Sequence, residues 1–444
     1  MPRARAALVA VAVGAVVADS SIVTLALPDL LRHFDATVAG VAWVLISFNV
    51  TLALAALPAV TAVRRRGVAP AWVAGLMVFA GASLACALAP GLAVLIVARC
   101  AQALGGALVL AAAFELLSAE LSAGRALTLW AGAGIFGAAV GPALGGALTD
   151  LLSWQAIFAA QVPLVLLAVS ARGASRAPPR RPRGEVPAPG ILVALALMSA
   201  ALTAALFLLV VMLIEGWRLS PLEAAGVVSI MPIAALASAP LASWIDSERV
   251  RAAAGAIAVS GGLAALGLLP AADVAWTIVP QLLIGFGLGV ALTALTEASA
   301  FGHDAGARGG AAAIAARHAG VVLGLALLTP LFSADLEEQE LAAQRAGSAL
   351  LLDAQLPPSL KVRLGERLAH RVERADGRLP NLRPAFEDLK ADSERAPLAR
   401  LRDKLTDEIK RAATQAFSRS FIAGAGLALL VIAGLLLPWG PRPT

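Results

Sequence analysis

Tyrosine is absent from the 444 residues, cysteine occurs twice, histidine four times, and charged residues make up only 14%. Each shortage excludes something. Four scattered histidines and two cysteines leave no ligand cluster for a metal. Nothing resembles a phosphate-binding loop or a nucleophile triad, so the chain reads as a non-enzyme without a cofactor. Cys86 and Cys100 fall in neighbouring apolar runs, where they read as small packing residues. The scarcity of charge rules out a soluble domain, whose surface needs polar groups.

What the chain has instead is apolar side chain. Hydrophobic residues make up 59%, and mean hydropathy is +0.82. Runs of roughly 20 residues are long enough to cross a bilayer core of roughly 30 Å. Twelve spans are expected at about 6–28, 39–62, 69–89, 92–117, 127–149, 153–170, 189–213, 222–245, 252–270, 275–298, 309–332 and 416–437. Ala and Gly dominate them, and small residues let helix backbones approach closely in lipid. The first run carries Asp19 and leads straight into more spans, so it reads as a retained helix and not a cleaved signal.

The formal net charge is +6 and the isoelectric point is near 10.3. Nucleic-acid binding is set aside, because loops on the cytoplasmic side of a membrane protein carry an excess of arginine. Arg3, Arg5, Arg64, Arg65, Arg66, Arg125, Arg172, Arg176, Arg180, Arg181 and Arg183 all fall on one side of the expected spans. Both termini are therefore expected in the cytoplasm, in a multi-pass protein of the cell membrane.

The Pro/Arg-rich stretch 171–188 is too polar for lipid and reads as a flexible cytoplasmic linker. It divides the chain into a six-helix half at 1–170 and a second at 189–444, a pattern that places a substrate site between the halves near the midplane. The fold class expected is all-α, with twelve transmembrane helices in two pseudo-symmetric halves. Residues 334–415 break the pattern and hold nearly half of the chain's charges. Apolar stripes at Leu360, Leu364, Leu368 and Val372, and at Leu398, Leu401, Leu405, Ile409 and Ala412, predict two helices there. Breaks at Leu356-Pro357-Pro358 and Leu379-Pro380-Asn381 separate them. The region reads as an extracytoplasmic helical insert, either a cap over the mouth or a module for a partner.

The fifth span contains Gly137-Ala138-Ala139-Val140-Gly141-Pro142-Ala143-Leu144-Gly145-Gly146. Glycines four apart line one helix face and permit close contact with a neighbour, while Pro142 removes a backbone donor and bends the helix. This spacing resembles the antiporter motif of the major facilitator superfamily, found in its drug:proton exporters. Asp19-Ser20-Ser21-Ile22-Val23-Thr24-Leu25-Ala26-Leu27-Pro28 is similar to the first-span signature of the drug:proton antiporter branch usually described with fourteen spans. Arg99-Cys100-Ala101-Gln102-Ala103-Leu104-Gly105-Gly106 resembles the fourth-span R-x-x-Q-G-x-G, with Ala103 in place of the first glycine. Trp154 to Phe158 with Pro163, and Arg317 with Gly320 and Gly324, resemble the sixth- and eleventh-span patterns. The resemblance covers residues 10–332 and the last span.

Two departures stand out. After span two the superfamily has G-x-L-a-D-R-x-G-R, whereas Val60 to Gly67 here keeps an Arg and the last Gly but puts Arg64 at the acidic position. A cytoplasmic gate of Arg64, Arg65 and Gly67 is expected to draw on Asp246 and Arg249 in the matching link of the second half. Twelve spans are read, not fourteen.

Ionisable groups inside a bilayer are costly and are functional candidates by default. Asp19 is the one acid expected near the middle of a span. An isolated carboxyl in low dielectric is readily held as the neutral acid, which suits a proton carrier; a structural pairing with Arg is the plainer alternative. The resemblance implies that Arg99 modulates the proton on such an acid. Arg317 is embedded near His318, which reads as a packing histidine. Asn49, Gln102, Gln161, Gln281 and Arg317 are the expected polar groups of a substrate cavity otherwise lined by Ala, Leu and Val. Glu115, Glu297, Glu215 and Asp150 lie at span ends within reach of headgroup water.

The function these features imply is proton-driven export of drug-like or secondary-metabolite lipophilic molecules by alternating access. Protons and a small-molecule substrate are the ligands, the proton gradient is the energy source, and a monomer is expected. Transport of a nutrient or lipid by the same fold is one alternative. A non-cycling scaffold or receptor that binds a partner through 334–415 is another.

Overall fold

The computed structural model of the chain describes residues 3–172, 187–300, 307–373, 385–386 and 395–438. Most of the expected linker, at 173–186, and the expected break at Leu379-Pro380-Asn381 lie outside these residues. Twelve helices among the described residues are long and apolar enough to cross a membrane, and no strand occurs among them. The reason is general: without water in the hydrocarbon, each span must satisfy its own backbone N–H and C=O groups, and a helix does so internally.

Span one is α1 (Arg3–Ile22), which passes through a tight turn at Val23–Ala26 into α2 (Leu27–His33). Spans two to five are single helices: α3 (Val38–Arg66), α4 (Val68–Ala87), α5 (Leu92–Ser118) and α6 (Ala123–Leu151). Thr37 caps α3 by accepting from the Gly40 amide at 3.1 Å, satisfying one of the orphan donors of a helix start. Gly67, at φ 91°, is the single residue between α3 and α4. A side chain would be strained there.

Span six is α7 (Trp154–Ala159) followed by α8 (Gln161–Leu167). Span seven is α9 (Pro189–Thr203) and the short α10 (Leu209–Val211), interrupted by wide π turns at Ala204–Leu208 and Met212–Gly216. Span eight is α11 (Pro221–Val228) and α12 (Ile230–Ser238), opened by a Ser220/Glu223 capping box. Spans nine to eleven are α13 (Glu248–Gly267), α14 (Ala275–Ala300) and α15 (Ala307–Asp353).

Helix neighbours recur between the first six spans and the last six. Span one lies against five, three against four, two against four and three against six; correspondingly seven lies against eleven, nine against ten, eight against ten and nine against twelve. Glycines allow the tightest of these approaches. A Cβ on Gly137 would collide with the Gly14 carbonyl of α1, and one on Gly320 with the Ala196 carbonyl of α9. These are the one–five and seven–eleven contacts.

The expected insert does not begin as a separate unit at 334. α15 continues through Pro330 to Asp353 without a break. The chain then turns at Leu356 into α16 (Pro358–Glu373), and returns through α17 (Arg395–Ala416), which a single residue, Phe417, separates from span twelve, α18 (Ser418–Leu436). The predicted stripes meet: Leu360 and Leu364 of α16 pack with Leu398, Leu401 and Leu405 of α17 in their own apolar cluster. Side chains four apart share a helix face, and each of these helices is too polar to be buried on its other faces. Phe417 stacks on Phe332 at 4.4 Å between ring centres. Arg419 bridges to Asp335 and Glu338, each at 2.8 Å. The insert is thus an extension of the last two spans.

One apolar cluster joins the two halves, from Leu25 and Val44 to Leu213, Ala225 and Phe421, and continues through the second half to Ala252, Leu295 and Leu435. A second belongs to the first six spans and is joined by Ala311, Ile314 and Ala315 of α15.

Candidate functional site

Asp19, on α1, is fully buried, and so is Arg99, on α5; the two form an ion pair. The other carboxylate oxygen, Oδ1, accepts from Gln161 Nε2 at 2.8 Å and from Gln102 Nε2 at 3.1 Å. Gln102 stands one helical turn after Arg99, so both reach Asp19 from one face of α5. Gln161 comes from the first residue of α8. The Arg99 Nη1 group also donates to Gln102 Oε1 at 2.7 Å, and its Nε to the Val44 carbonyl at 3.2 Å. Its guanidinium carbon lies 4.1 Å from the centre of the Phe48 ring, a cation–π contact. Ser83 of α4 accepts from Gln102 Nε2 at 2.8 Å, completing a network drawn from spans one to four and six.

Burying two charges costs several kcal/mol each, and mutual attraction offsets this only when the remaining polar groups are also satisfied. Here the carboxylate has three donors. Arg99 Nη2 has no partner and is the one open valence of the pair among the described residues.

The next two residues of α1 face the other way. Successive side chains on a helix point roughly 100° apart, so Ser20 and Ser21 line a central cavity of about 200 Å3 while Asp19 faces α5. The cavity lies between the halves, with walls from α1 and α6 on one side and α9, α12 and α14 on the other. Arg317 and His318 of α15 complete it. Pro142 lies in its wall, and Gly141 beside Pro142 has Ser21 so close that a Cβ would collide with the hydroxyl. Ser21 Oγ sits 3.0 Å from the Ala18 carbonyl and 3.2 Å from that of Ala138 on α6. Gly145 lies equally close to Ile22, whereas Gly146 faces Pro221 and Ala225 of α11, across the two halves.

Of the five polar residues expected in the cavity, Arg317 is in its wall, and the others lie elsewhere. Gln102 and Gln161 belong to the Asp19 network. Asn49 is buried and joins spans two and eleven: its Oδ1 accepts from His318 Nδ1 at 2.6 Å, and its Nδ2 donates to Leu45 O at 2.8 Å. The second bond orients the amide and so places the imidazole proton on Nδ1. Gln281 is buried on α14 and donates to Thr277 one turn earlier at 3.0 Å.

The expected gate residues sit at the end opposite the insert. Arg64 and Arg65 close α3, with Gly67 following, and Arg64 is near enough to Glu115 for its charge to act on it. Asp246 and Arg249 are exposed on either side of the start of α13. At the same end Arg251 pairs with Glu297 at 2.6 Å, between spans nine and ten. Arg5 reaches Glu120 at 2.6 Å and the Ala171 carbonyl at 2.9 Å, tying the ends of spans one, four and six together. At the insert end Arg32 of α2 meets Glu215 of span seven at 3.0 Å, linking the two halves. Neither Arg32 nor Arg251 is singled out by the sequence, where they look like ordinary boundary charges. Ser20 and Ser21 were accessible to helical periodicity, since they follow the deep acid directly.

The described residues thus form a bundle of twelve helices long enough to cross a membrane, with a buried acid–base pair beside a central cavity. The model of the Major Facilitator Superfamily matches residues 9–327, and the chain belongs to that family. It is 36% identical over 150 residues to the multidrug resistance protein Stp of Mycobacterium tuberculosis, covering 33% of this chain and 28% of that protein. Identity to the drug efflux pump JefA of the same organism is 33% over 169 residues, 37% of this chain and 33% of the pump. The methylenomycin A resistance protein of Streptomyces coelicolor is 30% identical over 239 residues, 52% of this chain and 49% of that protein. These matches span between 28% and 49% of the relatives' lengths. Among solved structures, an inward-facing, occupied bacterial homologue of the human lysosomal transporter Spinster superposes with a TM-score of 0.63 at 15% identity, covering 97% of this chain and 95% of that one. That likeness concerns the fold.

Proposed function

We propose that this chain exports lipophilic, drug-like or secondary-metabolite molecules across the cell membrane in exchange for protons, by alternating access. The observation that carries the reading is Asp19: a fully buried carboxyl held by Arg99, one residue before the cavity wall. In the resting state the pair clamps α1 to α5. A proton on Asp19 removes the charge that Arg99 needs. Loosening α1 moves Ser20 and Ser21 on its cavity face, where Ser21 holds the helix against α6. Protonation and cavity shape are thereby coupled through one rigid element.

The names of the relatives support drug-like substrates, and the largely apolar cavity wall suits a lipophilic body. The arginine distribution supports cytoplasmic termini. Rocking of spans 1–6 against spans 7–12 fits the recurrent helix neighbours, with contacts such as Arg32–Glu215 and Gly146–Ala225 making and breaking at the insert end. The insert would then cap the extracytoplasmic mouth.

The test is dye uptake into everted vesicles energised by an inward-acidic gradient. The wild-type chain should accumulate dye, and Asp19→Asn should lose gradient-driven uptake while retaining exchange of dye against dye. Unimpaired uptake by the variant would remove Asp19 from the coupling role; no uptake of any compound by the wild type would sink the exporter reading.

A further inference from the structure

The central cavity contains one group that the Asp19 network does not use. Among the described residues its wall has no carboxylate, and Arg317 is its one arginine or lysine. The two arginines that are buried are matched, Arg99 by Asp19 and Arg251 by Glu297; Arg317 is half-buried on the cavity wall. Arg317 makes no ion pair or hydrogen bond among the described residues. A guanidinium on a membrane-spanning helix without a counter-charge is costly and is a functional candidate by default. Its planar fork of donors matches an oxyanion in two parallel hydrogen bonds.

The rest of the wall points the same way. The hydroxyls of Thr24, Ser199 and Thr203 already donate within their own helices, to the carbonyls of Ser20, Leu195 and Ser199. Ser20 Oγ is buried without a partner, so its proton remains available. His318 has its Nδ1 proton on Asn49. Among the described residues the cavity thus offers free donors, no acidic acceptor and a wall of Leu, Val, Phe and Met side chains. A cation entering it would meet Arg317 as a like charge, and a neutral molecule would leave that charge uncompensated.

We infer that the molecule this cavity accepts is a lipophilic anion: an apolar ring or chain against the wall, with a carboxylate or comparable oxyanion on Arg317. As a statement about what is transported, this rests on the exporter reading above. As a statement about the site, it stands on the cavity alone. The cavity of about 200 Å3 is small beside the roughly 300–1,000 Å3 typical of drug-sized pockets. A bicyclic aromatic acid is therefore a suitable probe.

Three probes of equal shape separate the cases: naphthalene-1-acetate, its neutral amide, and 1-naphthylmethyl-trimethylammonium. Calorimetric titration onto the purified full-length protein in detergent should show the acetate binding at least about tenfold more tightly than the amide, as a charge-assisted hydrogen bond implies. The ammonium should bind more weakly than either. In Arg317→Gln the acetate-to-amide ratio should fall to about one, with amide binding kept; Arg317→Lys should retain part of the preference. Amide binding and the thermal unfolding midpoint report whether the Gln variant is folded, and the Lys variant supplies the answer if it is not. Equal affinities in the wild type, a preference that survives Arg317→Gln, or no acetate binding at millimolar concentration would each overturn the assignment. Competition by added phosphatidylglycerol would identify a lipid phosphate as an oxyanion for the same site, and its absence would favour a free acid. Vesicle uptake of the same probes tests export separately: preferential binding without gradient-driven uptake would refute the exporter and leave the anion site standing.

Discussion

Replacing Asp19 by Asn removes one charge and almost no volume, so its consequence is electrostatic. The amide keeps an oxygen for the Gln102 and Gln161 donors at 3.1 and 2.8 Å. Arg99 is left with two neutral acceptors, Val44 O and Gln102 Oε1, and with the Phe48 face. Removing one member of a buried pair costs about 3–5 kcal/mol, because the other charge stays buried. Arg99→Gln should cost a similar amount, leaving a carboxylate with two amide donors. Independent effects would then sum to about 6–10 kcal/mol in the double variant. The Asp19→Asn, Arg99→Gln chain has no buried charge at this point, and its loss should be no more than about 3 kcal/mol, a coupling of at least about 3 kcal/mol. Denaturant titration of the four proteins in detergent, followed by tryptophan fluorescence, measures the cycle. Trp72 suits it as a reporter, being fully buried with its indole N–H on the Ala168 carbonyl at 2.9 Å. Additive losses would refute the view that the pair is an isolated charge couple, and with it the idea that protonating Asp19 releases α1.

Gly137→Ala should separate α1 from α6 and lower stability by about 1–3 kcal/mol, whereas Gly132→Ala on the same helix, with open space around it, should be neutral or better; thermal midpoints and transport rates of the two variants check this. Leu364→Ala should cost the insert about 2–5 kcal/mol, since Leu364 is fully buried among α16 and α17 leucines. Limited proteolysis should then cut the insert faster while vesicle uptake persists, and lost uptake would show that the insert does more than cap. Arg32→Glu should change stability by no more than about 1 kcal/mol because the pair is partly exposed. It should nevertheless weaken closure of the insert end, read as labelling of a cysteine placed at Ala225, and Glu215→Arg in the same chain should restore protection.

Much of the architecture was legible in the chain itself. Twelve apolar runs were readable because each span's preference for lipid is a sum over its own residues, whatever its neighbours do. The glycine spacing in α6 was readable because Gly137, Gly141 and Gly145 share a face by helical repeat alone. The stripes of α16 and α17 were readable for the same reason, and their leucines do meet. The end of span eleven was not, because polarity rises near 334 while helical propensity does not fall, and α15 runs on to Asp353.

Which helix face meets which neighbour was beyond any local signal. Gln102 and Gln161 look like cavity groups in sequence, yet the rotations of α5 and α8 turn both toward Asp19, 83 and 142 residues away. Arg99 and Arg317 are both deep arginines in recognisable motifs. The packing of α1 matches the first with a carboxylate, and the placing of α15 gives the second the cavity. Hydropathy and spacing determined the twelve crossings and the presence of a deep acid, because those depend on one segment at a time. The tertiary structure decided which charges are paired and which faces the cavity, because that depends on the relative rotation of helices far apart in the chain.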